Sequence, residues 1–359
     1  MNRKPNKKKE TPETHGEVYR NNLKITKPKV YKKIQNYLND LNSRERVCSI
    51  DIAYRWQCNM NCTHCFTTML KNSSSKGQFN IHRLKKFCNE ADEMGVFAIS
   101  LQGGEPLLWK DLPDIIDAMD PKRFNISIVT NALLLDDIMA NNLKDYGIDR
   151  VCISIDSGIQ SEHDKFRNFP GSFNKSINAV EACLKCDLTP HIHTVVTHQS
   201  LYSDGFNKIV NYAKSLNLGI TVLIAIPAGK WKGETDLLIN ESDAKYIHKL
   251  HTEYPLLRRD ITPVNGVDTG CRAVTYALYI TSFGEVLPCP FLHFTLGNVF
   301  ETPLSQILKK GYRIKEFREY SSQCLAGEDT DFICKYMKQT FDNNMLPIQV
   351  EDVFNLEKE

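Results

Sequence analysis

Short apolar runs alternate with amphipathic helical patterns from residue 48 onward. The runs are typical of buried strands, and they begin at residues 48, 97, 125, 151, 191 and 219: CSIDIAY, FAISL, NISIVT, VCISI, HIHTVV and GITVLIAI. The clearest helical pattern between them extends from Ile81 to Met94, with Asn80 as its N-cap and Gly95 after its end. Further helical patterns begin near residues 111, 136, 174 and 205. This succession predicts a right-handed parallel α/β sheet with a site at the C-terminal ends of its strands. Periodicity leaves open whether the sheet is flat or a partial barrel.

The pattern divides the chain into five regions. Residues 1–47 form a basic tail and a short helix, predicted over Val30–Leu41, and residues 48–228 form the α/β unit. Residues 229–268 are looser and polar, and we interpret them as a linker. Residues 269–340 combine closely spaced cysteines with strand-like runs and predict a small separate unit. Residues 341–359 remain as a C-terminal tail.

Composition favours an ordinary globular protein, with 42% hydrophobic residues and a net charge of +2. No run approaches the ~18 apolar residues of a membrane span, and no apolar segment follows the lysine-rich start. We therefore expect neither a membrane span nor a signal peptide, and we expect a cytoplasmic location. Residues 1 to 50 hold 13 Lys/Arg against 5 Asp/Glu, which is typical of a solvated, disordered arm and less often of a contact for an anionic partner. We expect no nucleic-acid partner.

Twelve cysteines without a secretion signal favour reduced thiolates available to metals over a disulfide scaffold. Their positions form two groups and a scattered set. The first group is Cys58, Cys62 and Cys65; the second is Cys271, Cys289, Cys324 and Cys334; the scattered residues are Cys48, Cys88, Cys152, Cys183 and Cys186. We expect Cys88, Cys183 and Cys186 to be buried core residues, although the last two form a C-x2-C pair.

The first group forms the motif CNMNCTHC directly after the first predicted strand. Three thiolates on a tight loop can hold three irons of a [4Fe-4S] cluster and leave the fourth iron open to a ligand. The alternative is a zinc site that adds His64, but His64 directly precedes Cys65 and is poorly placed for the same tetrahedron.

A second motif, QGGEP, follows the second predicted strand. Gly103 and Gly104 let the backbone approach a ligand closely, although such a pair is more often an ordinary turn. We expect the carboxylate of Glu105 to be exposed at the strand end and to accept hydrogen bonds from an ammonium group.

CNMNCTHC followed by GGEP resembles the radical S-adenosylmethionine (SAM) superfamily, whose members share a partial (β/α)6 barrel. The resemblance implies that SAM chelates the open iron and that Gly103, Gly104 and Glu105 hold its methionyl end. It also implies that reductive cleavage of SAM gives a 5'-deoxyadenosyl radical, which removes a hydrogen atom from the substrate. A flavodoxin or ferredoxin is the electron donor that such chemistry implies.

Other positions resemble the family at lower specificity, and each is otherwise an ordinary polar or small residue at a strand end. Arg167 is similar to an arginine near the SAM carboxylate, and Ser154 to a ribose or amino-acid contact. Ala225, next to Ile224, would lie behind the adenine, and His64 would lie beside the nucleoside. The remaining expected SAM contacts, at the ends of the third and fourth strands, are Asn131 and Asp156.

The C-terminal cysteines follow the pattern C-x12-G-x4-C-P from Cys271 to Pro290. This pattern and the segment GNVFETPLSQIL resemble SPASM and twitch extensions, which bind auxiliary clusters in peptide maturases and dehydrogenases. Four cysteines suffice for one fully ligated [4Fe-4S] cluster, as in the shorter twitch form, although Cys324 and Cys334 are more widely spaced than usual. A structural zinc on these cysteines is the alternative.

Several functions remain open at this point. The first is a dehydrogenase or epimerase of a small molecule such as a sugar or aminocyclitol, in which the auxiliary cluster accepts an electron or a cysteine thiol returns hydrogen. The second is a maturase of a ribosomal peptide, disfavoured because the region before the first strand is shorter than a leader-binding domain of roughly 80 residues. The third is a non-catalytic iron-sulfur or zinc protein. The sequence identifies no catalytic acid, base or hydrogen donor.

Overall fold

The structure is a computed structural model that describes residues 15–39, 45–71, 77–262, 267–343 and 345–356. The disordered arm predicted for the start of the chain falls largely on residues 1–14, which lie outside the described residues. None of the helices in the described ranges combines the length and the apolar character needed to cross a membrane.

Seven parallel strands form the centre of the sheet, and each is hydrogen-bonded to the next along the chain. They are β1 Ser49–Arg55, β2 Ala98–Gly103, β3 Asn125–Thr130, β4 Arg150–Ser154, β5 Thr189–Val196, β6 Gly219–Ile224 and β7 Leu257–Arg259. The first six are the strands that the apolar runs predict. Strand β7 lies in region 229–268, so the interpretation of that region as a linker is wrong. It extends the sheet beside β6, with Thr221 paired to Arg258.

The other strands continue the sheet beyond β1 or pair beside it. They are β8 Ala277–Ile280, β9 Glu285–Leu287, β10 Phe294–Thr295, β11 Gly297–Asn298 and β12 Ile348–Gln349. Strand β8 runs parallel to β1, β9 and β11 continue antiparallel, and β10 pairs with β12. The cysteine-rich region therefore shares the main sheet and is not a detached unit. The C-terminal tail also belongs to the fold, since Val350 and Phe354 are buried.

The described residues also form thirteen α-helices. They are α1 His15–Thr26, α2 Pro28–Asn39, α3 Ile81–Glu93, α4 Leu112–Met119, α5 Asp137–Asp145, α6 Gln160–Arg167, α7 Ser172–Lys185, α8 Asp204–Ser215, α9 Glu241–Glu253, α10 Leu304–Tyr312, α11 Lys315–Arg318, α12 Thr330–Phe332 and α13 Lys338–Phe341. In α3, Asn80 caps the helix as predicted, with its side chain accepting a hydrogen bond of 2.9 Å from the backbone nitrogen of Arg83. Two helices, α1 and α2, precede the first strand where the sequence predicted one.

Helix α2 packs against the sheet through one apolar face. Val30, Ile34 and Tyr37 are buried on that face. The ring of Tyr37 lies 6.1 Å from that of Phe97 and 5.8 Å from that of Tyr276. Because Phe97 precedes β2 and Tyr276 precedes β8, this helix covers the N-terminal ends of the strands and leaves their C-terminal ends free for the site.

The sheet curls so that its two sides approach each other. Burial, and then the negative charge of Asp260, raise the pKa of Asp51 to about 7. Asp51 is on β1 and Asp260 follows β7, so the two carboxylates could not interact across a flat sheet of this width. An ion pair between Arg259 on β7 and Glu328 joins the far side of the sheet to the C-terminal region. The fold is thus a partial barrel, and its inner face, which carries the partly exposed residues Asp51, His191 and His193, surrounds a space that we call the lumen.

Candidate active site in the partial barrel

The loop of residues 58–65, which we call the cysteine loop, follows β1 at the C-terminal end of the barrel. Cys58 is exposed, while Cys62 and Cys65 are partly buried, and all three are free thiols. Burial raises the pKa of Cys58, and the nearby charges of Glu105, Cys62 and Cys65 raise it further. The three sulfur atoms are therefore neighbours on one loop, with one of them open to solvent.

The segment after β6 fixes the cysteine loop from one side. Lys230 donates hydrogen bonds from Nζ to the backbone oxygens of Asn61 (3.0 Å) and Cys62 (2.7 Å). A Cβ atom on Gly229 would lie 2.3 Å from the backbone oxygen of Cys65, so only glycine permits this approach. On the other side, the backbone nitrogen of Thr63 donates to the oxygen of Phe166, in α6, at 3.1 Å.

The Gly103-Gly104 pair has a packing role that the sequence did not reveal. A Cβ atom on Gly104 would lie 2.0 Å from the backbone oxygen of Gln57, and one on Gly103 would lie 2.6 Å from that of Arg55. The backbone nitrogen of Gly104 instead donates to the oxygen of Arg55 at 3.0 Å. Both glycines therefore let β2 pass directly beside the chain that leads into the cysteine loop.

Glu105 is buried, with only 1% exposure, so the expectation of an exposed carboxylate is wrong. Its Oε1 accepts hydrogen bonds from Oγ1 of Thr130 (2.7 Å) and from the backbone nitrogen of Leu107 (3.1 Å). Its Oε2 accepts from the backbone nitrogen of Asn131 at 2.7 Å. Burial raises the pKa of Glu105 to about 7 despite these hydrogen bonds. The carboxylate thus joins the ends of β2 and β3.

Asn131 connects the end of β3 to the cysteine loop. Its Nδ2 donates to Oδ1 of Asn59 at 2.7 Å and lies 4.0 Å from Sγ of Cys58. Ser154, at the end of β4, is buried and belongs to the same row of inner-face residues as His193 on β5. Asn131 and Ser154 therefore lie at the ends of the strands where the sequence predicted them.

Asp156 and Arg167 form a buried ion pair under the cysteine loop. Nε of Arg167 donates to Oδ2 of Asp156 at 2.6 Å, and Nη1 lies 4.0 Å from Sγ of Cys62. Oδ1 of Asp156 accepts from the backbone nitrogen of Val195 at 3.0 Å. Burial alone would raise the pKa of Asp156. The charge of Arg167 outweighs this effect and brings that pKa below its ordinary value.

His64 lies in an aromatic group beside the loop. Its ring is stacked on that of Phe166 at 4.3 Å and is 5.7 Å from that of Trp231. Burial, and then the charge of Arg167, lower the pKa of His64 to about 3, so the imidazole is neutral. Its buried Nδ1 has no hydrogen-bond partner in the described residues.

Three of the four C-terminal cysteines come together. Burial, and then the charges of Cys271 and Cys289, raise the pKa of Cys324 well above its ordinary value. The backbone nitrogen of Cys271 donates to the oxygen of Ser321 at 2.8 Å, which brings the two chain segments side by side. Cys334 is exposed on a π-helical turn, Ile333–Met337, and does not contribute to these shifts.

The C-terminal cysteine group is packed against the barrel. A Cβ atom on Gly327 would lie 2.6 Å from Cδ1 of Ile226 and 3.2 Å from the backbone oxygen of Ala225, directly after β6. Ala225 is buried, and its backbone nitrogen donates to the oxygen of Val196 at 2.8 Å. The two cysteine groups are thus parts of one packed structure.

Both thiol groups suit iron-sulfur clusters rather than disulfides, since no disulfide joins any of the described cysteines. No group of three or more His, Cys, Asp or Glu side chains in the described ranges is arranged to hold a single metal ion. Three thiolates with one open side match an incompletely ligated cluster, and the unpartnered Nδ1 of His64 leaves a polar atom available beside it.

Comparison with known proteins agrees with these observations. Residues 57–212 match the family model of the radical SAM superfamily, and residues 271–334 match that of SPASM, an iron-sulfur cluster-binding domain. The chain belongs to the radical SAM superfamily. As a radical SAM protein with a SPASM-type extension, it uses [4Fe-4S] clusters and SAM, as predicted.

Known radical SAM proteins resemble this one over most of its length. An AdoMet-dependent heme synthase of Methanosarcina barkeri (strain Fusaro) is 26% identical over 312 residues, which cover 78% of this chain and 86% of the relative. Streptococcus suis SuiB bound to the precursor peptide SuiA has a TM-score of 0.58 at 17% identity, covering 77% of this chain and 69% of SuiB. Native anSMEcpe with bound AdoMet has a TM-score of 0.57 at 19% identity, covering 77% and 83%. At these identities the two solved structures show the shared fold.

No sequence motif points to Phe166, Lys230 or Trp231, which surround the cysteine loop in this radical SAM barrel. Lys230 and Trp231 follow β6 closely, and position at a strand end was the signal that could have found them. Phe166 directly precedes Arg167 on α6, but nothing in the sequence connects it to His64.

Proposed function

We propose that this enzyme uses SAM to abstract a hydrogen atom from a small-molecule substrate and completes a two-electron oxidation. The observation that carries the proposal is the pair of cysteine groups in one packed structure, one of three thiols and one of four. Cys58, Cys62 and Cys65 would hold the first cluster, and Cys271, Cys289, Cys324 and Cys334 the auxiliary one. When bound, the first cluster and SAM supply a 5'-deoxyadenosyl radical that removes the substrate hydrogen.

The SAM contacts proposed for this chain surround the cysteine loop. Arg167 is a fixed cation close to Cys62, where it would face a carboxylate, because Asp156 holds its Nε at 2.6 Å. The neutral ring of His64, stacked on Phe166, would form an apolar wall beside the nucleoside. Ser154 and Ala225 would complete that wall from β4 and β6. Glu105 and the two glycines act indirectly, by fixing Asn131 and the chain before Cys58.

The auxiliary cysteines would hold the cluster that takes part in the second step of the oxidation. Loss of a hydrogen atom leaves the substrate as a radical, which must give up one electron and one proton to complete a two-electron oxidation. A fully ligated auxiliary cluster can accept that electron, and a reduced flavodoxin or ferredoxin would supply the electron that starts the cycle. Sugars and aminocyclitols are the substrates proposed first, because an alcohol carbon can undergo this oxidation.

One observation favours epimerisation as a second candidate. Cys152 lies on β4, in register with Val129 on one side and His191 on the other, and it is separate from the apolar core clusters. Burial raises the pKa of Cys152 to about 12, so it stays a thiol and retains a hydrogen atom to donate. In an epimerase this thiol would return a hydrogen atom to the substrate radical from the lumen, and the thiyl radical left on Cys152 would take one electron from the external reductant, a flavodoxin or ferredoxin, and one proton from solvent to become a thiol again.

One anaerobic experiment tests both candidates. The protein, reconstituted with iron and sulfide, is incubated with SAM, a reductant and a panel of sugars, aminocyclitols and ribosomal precursor peptides, and 5'-deoxyadenosine and product mass are followed together. Oxidation predicts a product lighter by two hydrogens, whereas epimerisation predicts an unchanged mass in ordinary water and solvent deuterium uptake that Cys152→Ser abolishes. A modified peptide with no small-molecule product would contradict the proposal, as would absence of 5'-deoxyadenosine under all conditions.

A further inference from the structure

The inner face of the barrel carries a row of polar residues below the cysteine loop. Ser154 pairs with His193, His193 with Thr221, and Thr221 with Arg258 across four parallel strands. Residues paired in this way point to the same side of a sheet. The neighbouring inner-face residue His191 hydrogen-bonds through Nε2 to Oγ1 of Thr221 at 2.8 Å. The side chain of Arg258 therefore belongs to the lumen.

Two further arginines are near enough to Arg258 for their charges to act on it. Arg150 begins β4, Arg258 is on β7 and Arg272 precedes β8. Burial, and then the positive charges of Arg150 and Arg272, lower the pKa of Arg258. Placing like charges together in a partly buried cavity costs free energy, and a bound anion would offset that cost.

In the described residues, none of these three arginines forms an ion pair with a carboxylate. In the described residues, the guanidinium of Arg150 contacts no carboxylate, and that of Arg258 makes one long hydrogen bond of 3.5 Å, to the backbone oxygen of Pro255. Arg272 donates from Nη2 to the backbone oxygen of Thr262 at 2.6 Å, but its buried Nε has no partner. By contrast, Arg167 is paired with Asp156.

The other titratable groups of the lumen do not neutralise the arginines. Burial raises the pKa of Asp51 to about 7, so this carboxylate loses part of its charge near neutral pH, and burial also raises the pKa of Asp260. Burial lowers the pKa of His193 to about 4 and that of His191 well below its ordinary value, so both histidines are neutral. Three arginines therefore face two carboxylates, and the balance of these charges is positive even when both carboxylates are ionised.

We propose that the lumen binds a substrate with at least two anionic groups, carboxylates or phosphates, which Arg150, Arg258 and Arg272 hold. Arginine suits this task because its planar fork of donors matches the oxygens of both groups. Arg272 directly follows Cys271, and Arg258 belongs to the row of Ser154, so an anion held here places the substrate between the two cysteine groups. The inference rests on the proposed function and narrows it, since an acidic sugar or another polyacid fits better than a neutral sugar or a cationic aminocyclitol.

Binding of small anions to the reconstituted, SAM-loaded protein tests the inference without any turnover. Calorimetry under anaerobic conditions compares propane-1,2,3-tricarboxylate, inorganic phosphate and the neutral analogue glycerol. We expect at least one anion to bind, glycerol not to bind, and affinity to fall as KCl rises from about 0.05 to about 0.5 M. Tricarboxylate binding identifies carboxylates as the recognised groups, and phosphate binding identifies phosphates.

Variants of Arg258 decide whether the anions bind in the lumen. Arg258→Gln should weaken anion binding by about tenfold or more, because it removes a charge-assisted contact, whereas Arg258→Lys should restore part of the affinity. Lys309→Gln, which removes one positive charge from the exposed side of α10, is the matched control and should bind as the wild type does. Iron content and circular dichroism verify that each variant is folded.

The outcomes separate this inference from the proposed function. If neither anion binds the wild type, or if Arg258→Gln and Lys309→Gln bind equally well, the inference is wrong whatever the enzyme does with SAM. If anions bind as expected but the wild type forms no 5'-deoxyadenosine, the proposed function fails while the anion site stands.

Discussion

Replacing Asp156 with asparagine should destabilise the barrel strongly, because it leaves the guanidinium of Arg167 without its countercharge. The side chains of Arg167 and Asp156 are only 9% and 3% exposed, and their atoms approach to 2.6 Å. Two unit charges 4 Å apart interact by about 4 kcal/mol at an effective dielectric constant of about 20. Removing one partner of a buried pair costs about 3–5 kcal/mol. For a domain of this size, such a loss lowers the melting temperature by about 6 °C or more.

A double-mutant cycle at pH 7.5 measures this interaction. The pKa of Asp156 is below its ordinary value, so its contribution is fully present above that ordinary value and is lost only as pH falls through the folded-state pKa. Asp156→Asn, Arg167→Gln and the double variant are melted anaerobically with matched iron content. We expect the double variant to lose no more stability than either single one, with a coupling of about 2 kcal/mol or more.

The control is the exposed pair of Lys185 and Asp137, whose side chains are 63% and 62% exposed at 3.2 Å. Lys185→Met should change stability by less than about 1 kcal/mol. If the effects of the two site substitutions simply add, or if Asp156→Asn behaves like Lys185→Met, the ion pair of Asp156 and Arg167 does not stabilise the site.

Four further substitutions test how the cysteine groups are held. Gly104→Ala places a Cβ atom 2.0 Å from the backbone oxygen of Gln57. It should therefore lower the free energy of unfolding by about 1–3 kcal/mol and reduce the iron bound per chain. Full iron loading with an unchanged melting temperature would contradict this expectation. Lys230→Met removes exposed hydrogen bonds worth about 1 kcal/mol, and chelator-induced loss of iron should become faster, whereas an unchanged rate would show that Lys230 does not fix the loop. Cys324→Ala should lower iron from about eight to about four per chain, while Cys334→Ala should lower it less; equal losses would show that Cys334 is an equivalent ligand.

The strands and the N-terminal cysteine loop were predictable because their signals are local. Apolar runs of strand length gave six of the parallel strands, and the spacing of Cys58, Cys62 and Cys65 gave the loop. Strand β7 was missed because Leu257–Arg259 is short and two of its three residues are arginines, which face the lumen or pair with Glu328. An inward-facing charged residue in a barrel looks like a loop residue in a one-dimensional pattern.

The burial of Glu105 and the position of Cys334 depend on tertiary contacts that the sequence does not encode locally. The partners of Glu105 come from the end of β3, about 25 residues away, and no motif predicts that Thr130 and Asn131 fill both carboxylate oxygens. Similarly, the sequence motif predicts that Gly104 contacts a ligand, and only the structure shows that the chain at Gln57 lies directly beside it. Residues whose role is to fix neighbouring segments are the ones that sequence patterns describe least well.

We infer that the thiols of the cysteine loop hold the cluster that cleaves SAM. The most direct measurement is 5'-deoxyadenosine formation by anaerobically reconstituted protein with SAM and reductant, in the wild type and in Cys58→Ala, Cys62→Ala and Cys65→Ala. We expect formation by the wild type and none by the three variants, each of which should keep the absorbance of the auxiliary cluster. Formation of 5'-deoxyadenosine by any one of these variants would contradict the account.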